Sequence, residues 1–319
     1  MAWENIYFYR FLVTFQAQRE GLLPRYKGSL LRGALGRILR RISCVRRKDP
    51  HCVLCPLRGT CAYGVVFEGH STGHICSQKY RDPPRPYLLF PLDEGQRLYL
   101  PGDTLTFQFV LVGEAIKYFP HLAICFREMA NQGLGSEHLP FQTIAIEELR
   151  PDGFSRNIWD SQRQHLYPPS EEAKFTLASV QSSPLGEVLH LKFLTPCRIK
   201  SLGKLLNREL PFEILIERLQ ERLSLLSSLH CRGEVASENR FSLDKARQVK
   251  IVENKLRWLD LPRRSSRQGR MKLGGLVGEV SYIGPWQEYF SLICLGEYLH
   301  VGKSVTFGLG RYLIRGKNS

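Results

Sequence analysis

Apolar residues along this chain follow two periods, and the switches between them predict its elements. From Ile6 to Phe15 the run is strand-like. GSLLRGALGRILRRI then sets Leu31, Leu35, Ile38 and Ile42 at helical spacing, with Arg32, Gly36 and Arg40 on another face. RDPPRPYLLFP, residues 81–91, has four prolines and predicts an extended loop or edge element. Leu105, Phe107, Phe109 and Leu111 alternate as a half-buried strand. A helix follows over about Ala115–Asn131, then a strand through Ile144 and Ile146. The polar segment 152–185, with Pro168, Pro169 and Pro184, reads as a linker. Beyond it Leu189, Leu191 and Phe193 alternate, and Phe212, Ile216, Leu219, Leu223 and Leu226 hold one face of a helix over 211–229. A basic loop, RRSSRQGRMK at 263–272, leads to a strand near Leu276–Ile283, and Pro285 opens a helix to about Leu299.

The two halves rhyme. Each runs strand, glycine, helix, Gly-Leu-Gly, strand, with Gly133–Gly135 in the first and Gly308–Gly310 in the second. An earlier strand and helix precede each. The fold class is therefore α+β, as two tandem ferredoxin-like (RRM-like, βαββαβ) domains. They occupy residues 1–151 and 186–319, on either side of the linker. A length of 319 residues suits about two such cores.

Charge narrows the partner. Lys and Arg number 45 against 30 Asp and Glu, a formal charge of +15, which points to a polyanion. At 43% hydrophobic and 24% charged residues, wholesale disorder is excluded. The most apolar stretch, Leu105 to Phe126, is broken by Glu114, Lys117, Pro120 and His121, which argues against a membrane span. The N-terminus does not read as a signal peptide, and an odd nine cysteines suit no secreted disulfide scaffold, so a cytoplasmic protein is expected.

Four of those cysteines, Cys44, Cys52, Cys55 and Cys61, form C-x7-C-x2-C-x5-C. Four thiolates with one C-x2-C pair can close a structural zinc site, with His51 as a substitute ligand; free or buried thiols are the plainer alternative. The insertion 44–61 is thus read as zinc-binding. Basic clusters lie at Arg37–Lys48, including Arg40 and Arg41, and at Arg263, Arg264, Arg267, Arg270 and Lys272. Trp258 could stack an unpaired base, with a core position the simpler assignment.

The C-terminal loop brings Gly302, Lys303, Ser304, Gly308, Gly310 and Arg311 together. It is no P-loop, because the spacing from Gly296 to Gly302 is one residue too long and a helix precedes it. Nor is it a dinucleotide fingerprint, since the third glycine is absent. Two readings stand: glycine amides that approach phosphate beside a lysine, or a tight turn in which glycine supplies positive φ.

LKFLTPCRIK at 191–200, MKLGGLVGEVSYIGPWQEYF at 271–290 and LGEYLHVGKSVTFGLGRY at 295–312 resemble the C-terminal region of CRISPR-associated RAMP-superfamily endoribonucleases, which process precursor CRISPR RNA. LRGALG at 31–36 and CVLCPLRGTCAYGVVFE at 52–68 resemble one branch of that family. The resemblance implies two ferredoxin-like domains and a glycine loop that contacts RNA. It also implies cleavage without a catalytic metal, in which a 2′-hydroxyl attacks the adjacent phosphate to leave a 2′,3′-cyclic phosphate and a 5′-hydroxyl. In cutting relatives a histidine near the end of the first helix works with a tyrosine and a lysine. Here Tyr26 precedes that helix, which ends on Arg40-Arg41-Ile42-Ser43 without a histidine. His51, with Lys48 beside it, is the first candidate, and His74 the next. A non-cleaving RNA-binding subunit of a CRISPR effector complex is the alternative. A zinc-stabilised DNA-binding protein is disfavoured, because no helix-turn-helix or finger spacing occurs. Dimerisation and the identity of the RNA repeat are not written in the sequence.

Overall fold

The computed structural model describes residues 3–46, 52–70, 83–92, 95–181, 186–231, 243–265 and 269–316. The chain divides into two compact units. One holds residues 6–176 with 226–233; the other holds 1–5, 177–225 and 234–319.

The first unit contains β1 (Tyr7–Ala17), α1 (Gly28–Ser43), β2 (Tyr87–Pro91), β3 (Thr104–Val112), α2 (Phe119–Gln132), β4 (Phe141–Leu149), β5 (Ser155–Asn157) and β6 (Lys174–Thr176). Its sheet is antiparallel in the order β2-β3-β1-β4-β5, and β6 also pairs with β1. Placing the first strand between the third and fourth is the ferredoxin-like arrangement. The proline-rich stretch ends as an edge strand, where a missing N–H costs no ladder bond. Alternation on β1 buries Tyr9, Phe11, Val13 and Phe15 on one face, where Phe11 stacks on Phe119 of α2 at 4.0 Å between ring centroids. Leu31, Leu35 and Ile38 of α1 close the core, and Ile42 is half-buried.

The second unit contains β7 (Val188–Cys197), the part of α3 (Phe212–His230) up to Leu225, β8 (Lys250–Ser265), β9 (Gly269–Ile283), α4 (Phe290–Leu299) and β10 (Tyr312–Arg315). Its sheet has the order β8-β9-β7-β10, again antiparallel throughout. Leu191 and Phe193 of β7, Leu219 and Leu223 of α3, and Ile293 of α4 are all buried. The rhyme between the two halves is a repeated topology.

Two expectations are corrected. At its described residues, 263–265 and 269–272, the basic stretch is strand instead of loop, because β8 and β9 pair as a hairpin from Lys250↔Ile283 as far as Ser265↔Gly269. The segment 152–185 is not simply a linker. β5 adds to β4, and β6 pairs with β1 through Tyr7↔Thr176 and Tyr9↔Lys174, just where pairing with β4 stops at Arg10↔Leu149. The boundary therefore falls after Thr176 instead of at residue 151. The anchor is Glu148, 0% exposed, whose carboxylate accepts from Arg156 Nε at 2.8 Å, Ser170 N at 2.8 Å and Ser170 Oγ at 2.9 Å. A buried carboxylate is tolerable only with such partners.

The cysteine segment is seated on α1. A short helical run, Tyr63–Glu68, lays Phe67 against Gly36, where a Cβ would come within 2.2 Å of the ring, and the Arg32 guanidinium stands 4.5 Å from the same ring. Tyr118 Oη donates to the Thr60 carbonyl at 2.9 Å.

Glu148→Ala should lower the unfolding free energy by about 2 kcal/mol, the scale of charge-assisted hydrogen bonds lost from a buried site. Glu148→Gln, which keeps an acceptor, should lose less. Denaturant titration of both variants checks the order.

Candidate nucleic-acid interface

The glycine loop owes its shape to a break in β7. Pairing of β7 with β9 stops at Phe193↔Gly278 and resumes at Cys197↔Leu276, so residues are in excess on the β7 side and the strand bulges. The loop docks into that bulge. Thr195 Oγ1 donates to the Gly308 carbonyl at 2.8 Å and accepts from Arg311 N at 3.0 Å. Gly310 N donates to Pro196 O at 3.1 Å, Lys303 N to Arg198 O at 2.8 Å, and Val301 N to Gly310 O at 3.1 Å. Buried His300 stands behind the loop, its Nδ1 3.3 Å from the Leu309 carbonyl.

This geometry gives the turn role of two of the glycines. The amides of Gly308 and Gly310 are bonded to Val305 O and Pro196 O, so they do not point at a ligand. Gly310 is required sterically: its φ is +71°, and a Cβ would lie 1.8 Å from Val301 O. At Gly302 a Cβ would lie 2.7 Å from Arg198 O. Lys303 is exposed, while Ser304 and Arg311 are half-buried.

The hairpin supplies further cations. Arg263 and Arg264 lie in β8 opposite Met271 and Arg270 of β9; Arg267 lies outside the described residues. Trp258 faces solvent instead of the core, and its Nε1–H donates to Asp260 Oδ1 at 2.9 Å. Lys272 Nζ is 3.3 Å from Asp260 Oδ2, and Arg198 donates through Nη1 to the Gly274 carbonyl. The two hydrogen bonds to Asp260 hold its carboxyl below the ordinary range. Thr195, Arg198, Asp260 and His300 are absent from the sequence-level site. The first two sit inside the word LKFLTPCRIK, the one signal that could have found them.

Among the described residues, the first-unit candidates Tyr26, Arg40 and Arg41 are placed as follows. Arg40 lies 5.8 Å from the Tyr63 ring centre, and Arg41 Nη2 donates to Glu128 Oε2 of α2 at 3.0 Å, so both contribute to packing. Tyr26 is half-buried before α1, whereas Cys44 caps its far end. A helix of 16 residues separates them by roughly 24 Å. His51, Lys48 and His74 lie outside the described residues.

Cys44, Cys52, Cys55 and Cys61 are free, half-buried thiols. Cys55 N donates to Cys52 O at 3.0 Å, and the Cys61 thiol donates to Ser43 O at 3.5 Å, next to Cys44. Burial pushes the Cys52 thiol up to about 11, and Glu68 and then Cys61, Cys55 and Cys44 add to the effect. The donor set has zinc chemistry. Among the described residues, however, no three His, Cys, Asp or Glu side chains converge in metal-holding geometry. No helix among them is long and apolar enough to cross a membrane.

Both units match known families. Residues 6–171, more than half of the chain, match the AF_1859_N N-terminal domain, and residues 191–312 match the CRISPR-associated endoribonuclease Cas6. The chain belongs to the family defined by the AF_1859_N N-terminal domain, and its second half is similar to the CRISPR-associated endoribonuclease Cas6. An uncharacterized protein of Archaeoglobus fulgidus is 24% identical over 295 residues, covering 92% of this chain and 93% of its own. Thermus thermophilus Cas6 (TTHB231) shares the fold at a TM-score of 0.53 and 12% identity, covering 97% of this chain and 98% of its own. A partial Cas6-RT-Cas1–Cas2 complex matches at a TM-score of 0.56 and 14% identity, covering 98% of this chain but 47% of that one.

Gly310→Ala should cost at least about 2 kcal/mol, because left-handed backbone and a backbone clash act together. Thermal denaturation should show the loss, and Gly316→Ala, with nothing within 4 Å of its Cβ position, should lose less.

Proposed function

We propose that this protein binds CRISPR repeat RNA and cuts it by metal-independent transesterification, leaving a 2′,3′-cyclic phosphate and a 5′-hydroxyl. The observation that carries the reading is the coincidence of the Cas6 match, residues 191–312, with a glycine loop clamped to a bulged strand beside an arginine-bearing hairpin. The formal charge of +15 and the exposed Lys303 suit a polyanion.

The chemistry needs three groups. A base takes the 2′-hydroxyl proton as that oxygen attacks phosphorus, an acid protonates the departing 5′-oxygen, and a cation meets the charge gathered on the phosphate. We assign proton transfer to His51 with Lys48, and to His74 second. Lys303 is the cation. Tyr26, before the first turn of α1, is tested on its own.

A second reading is kept by one observation: the last turn of α1 ends on Arg40, Arg41, Ile42 and Ser43, with no histidine. On it, the chain is a non-cleaving RNA-binding subunit of a CRISPR effector complex. The structural relatives include a Cas6 (TTHB231) product complex and a Cas6-RT-Cas1–Cas2 complex, which supports crRNA and CRISPR subunits as partners; homodimerisation is read from gel filtration. Eight free cysteines among the described residues support action in the reducing cytoplasm. Zinc on Cys44, Cys52, Cys55 and Cys61 would be structural, fastening the insertion to α1.

Labelled repeat RNA in EDTA, beside the same RNA with a 2′-deoxy cut site, separates the two readings. Cleavage of the first substrate alone is expected. Binding without cleavage of either leaves the non-cleaving subunit. His51→Ala should then slow cleavage at least about 100-fold, the scale of a lost general acid or base. His74→Ala and Tyr26→Phe are the comparisons. Metal analysis of the purified protein should find one zinc per chain, and Cys52→Ala with Cys55→Ala should abolish it; a chain without zinc has free thiols only.

A further inference from the structure

Trp3, Trp159 and Trp286 are 3%, 6% and 1% exposed, whereas Trp258 is 39% exposed. A large apolar ring is rarely left in water without a reason, since covering it is worth about 1.5–3 kcal/mol. Trp258 lies on β8 opposite Leu276, and Asp260 lies opposite Gly274. The missing side chain at Gly274 makes room for both. A Cβ there would come within 2.5 Å of Trp258 Cζ2 and 2.2 Å of Asp260 Oδ1. One face of the indole therefore rests on the β9 backbone.

The polar edge of the ring is already satisfied by Asp260, which fixes its orientation and leaves the other π-face as the outward surface. Lys272 balances the Asp260 charge, and Arg198 adds a cation at the Gly274 carbonyl. Arg198 O in turn accepts from Lys303 N of the glycine loop. A rigid aromatic face thus stands among cations, all within one unit.

The geometry points to Trp258 as a stacking platform for one unpaired RNA base, with Lys272 and Lys303 meeting the flanking phosphates. This rests on the RNA-binding reading above and adds to it a preference for single-stranded segments. A base inside a duplex has both faces covered and cannot use the platform, while any unpaired base has a π-face to offer. Cation-ringed aromatics suit a nucleic acid better than an apolar peptide, which would gain nothing from Lys272 and Lys303.

The test is titration of the full-length protein with an unstructured, labelled RNA oligonucleotide at fixed salt. Trp258→Ala should weaken binding roughly 5- to 100-fold, the loss of one stacked base. Trp258→Phe should recover most of it while keeping the melting temperature. RNA should quench tryptophan fluorescence in the wild type and not in Trp258→Phe. Lys303→Ala should flatten the salt dependence by about one contact. Wild-type binding that Trp258→Ala leaves unchanged, without quenching, would overturn the platform and spare the RNA reading. A wild-type protein that binds no RNA at all overturns both.

Discussion

The C-terminal unit is organised by the bulge in its central strand. β7 pairs on both sides, with β9 and with β10, so a break at Leu194–Pro196 disturbs the middle of the sheet, where main-chain groups most need partners. The glycine loop provides them. Gly310 N reaches Pro196 O, Leu194 N reaches Arg311 O, and the Thr195 hydroxyl bonds in both directions. The bulge needs the loop as much as the loop needs the bulge. The Lys303 backbone is thereby held on a framework fixed to the core.

Cations of the same type do different work in this fold. Arg40 and Arg41 resemble an RNA-binding patch in the sequence, yet one covers Tyr63 and the other ties α1 to α2 through Glu128. Lys192 and Arg315 share Glu279. Lys303, by contrast, is committed through its backbone, and its ammonium points to water. What separates binding cations from packing cations is which atoms the fold already uses.

Elements with one buried face were legible from their period. β1, α1, β7 and α3 each present a stripe of apolar residues that only one secondary structure can bury. β8 was illegible because it is an edge strand whose two faces both reach solvent, so no alternation is written in KIVENKLRWLDLPRR. β5 and β6 were illegible for another reason. They are short, and Glu148, the group that holds their segment, looks like any surface acid until three donors converge on it. Residue type alone leaves Trp258 open between core and surface, and its edge position over Gly274 leaves it 39% exposed. The glycine loop was visible as a unit, while the direction of its amides is a three-dimensional fact.

The two Gly-Leu-Gly turns of the repeated topology find their hydrogen-bond partners in different places. In the first unit Leu134 and Leu139 exchange both backbone hydrogen bonds at 2.9 Å, so that turn closes on itself a few residues on. In the second unit the same three-residue word closes on the bulge of β7, more than a hundred residues away in sequence. A self-closed turn can satisfy its backbone anywhere and fixes nothing beyond itself. A turn closed on the central strand fixes the residues at both its ends, Lys303 before it and Arg311 after it, relative to the sheet. The asymmetry between two like units thus follows from where one glycine turn finds its hydrogen-bond partners.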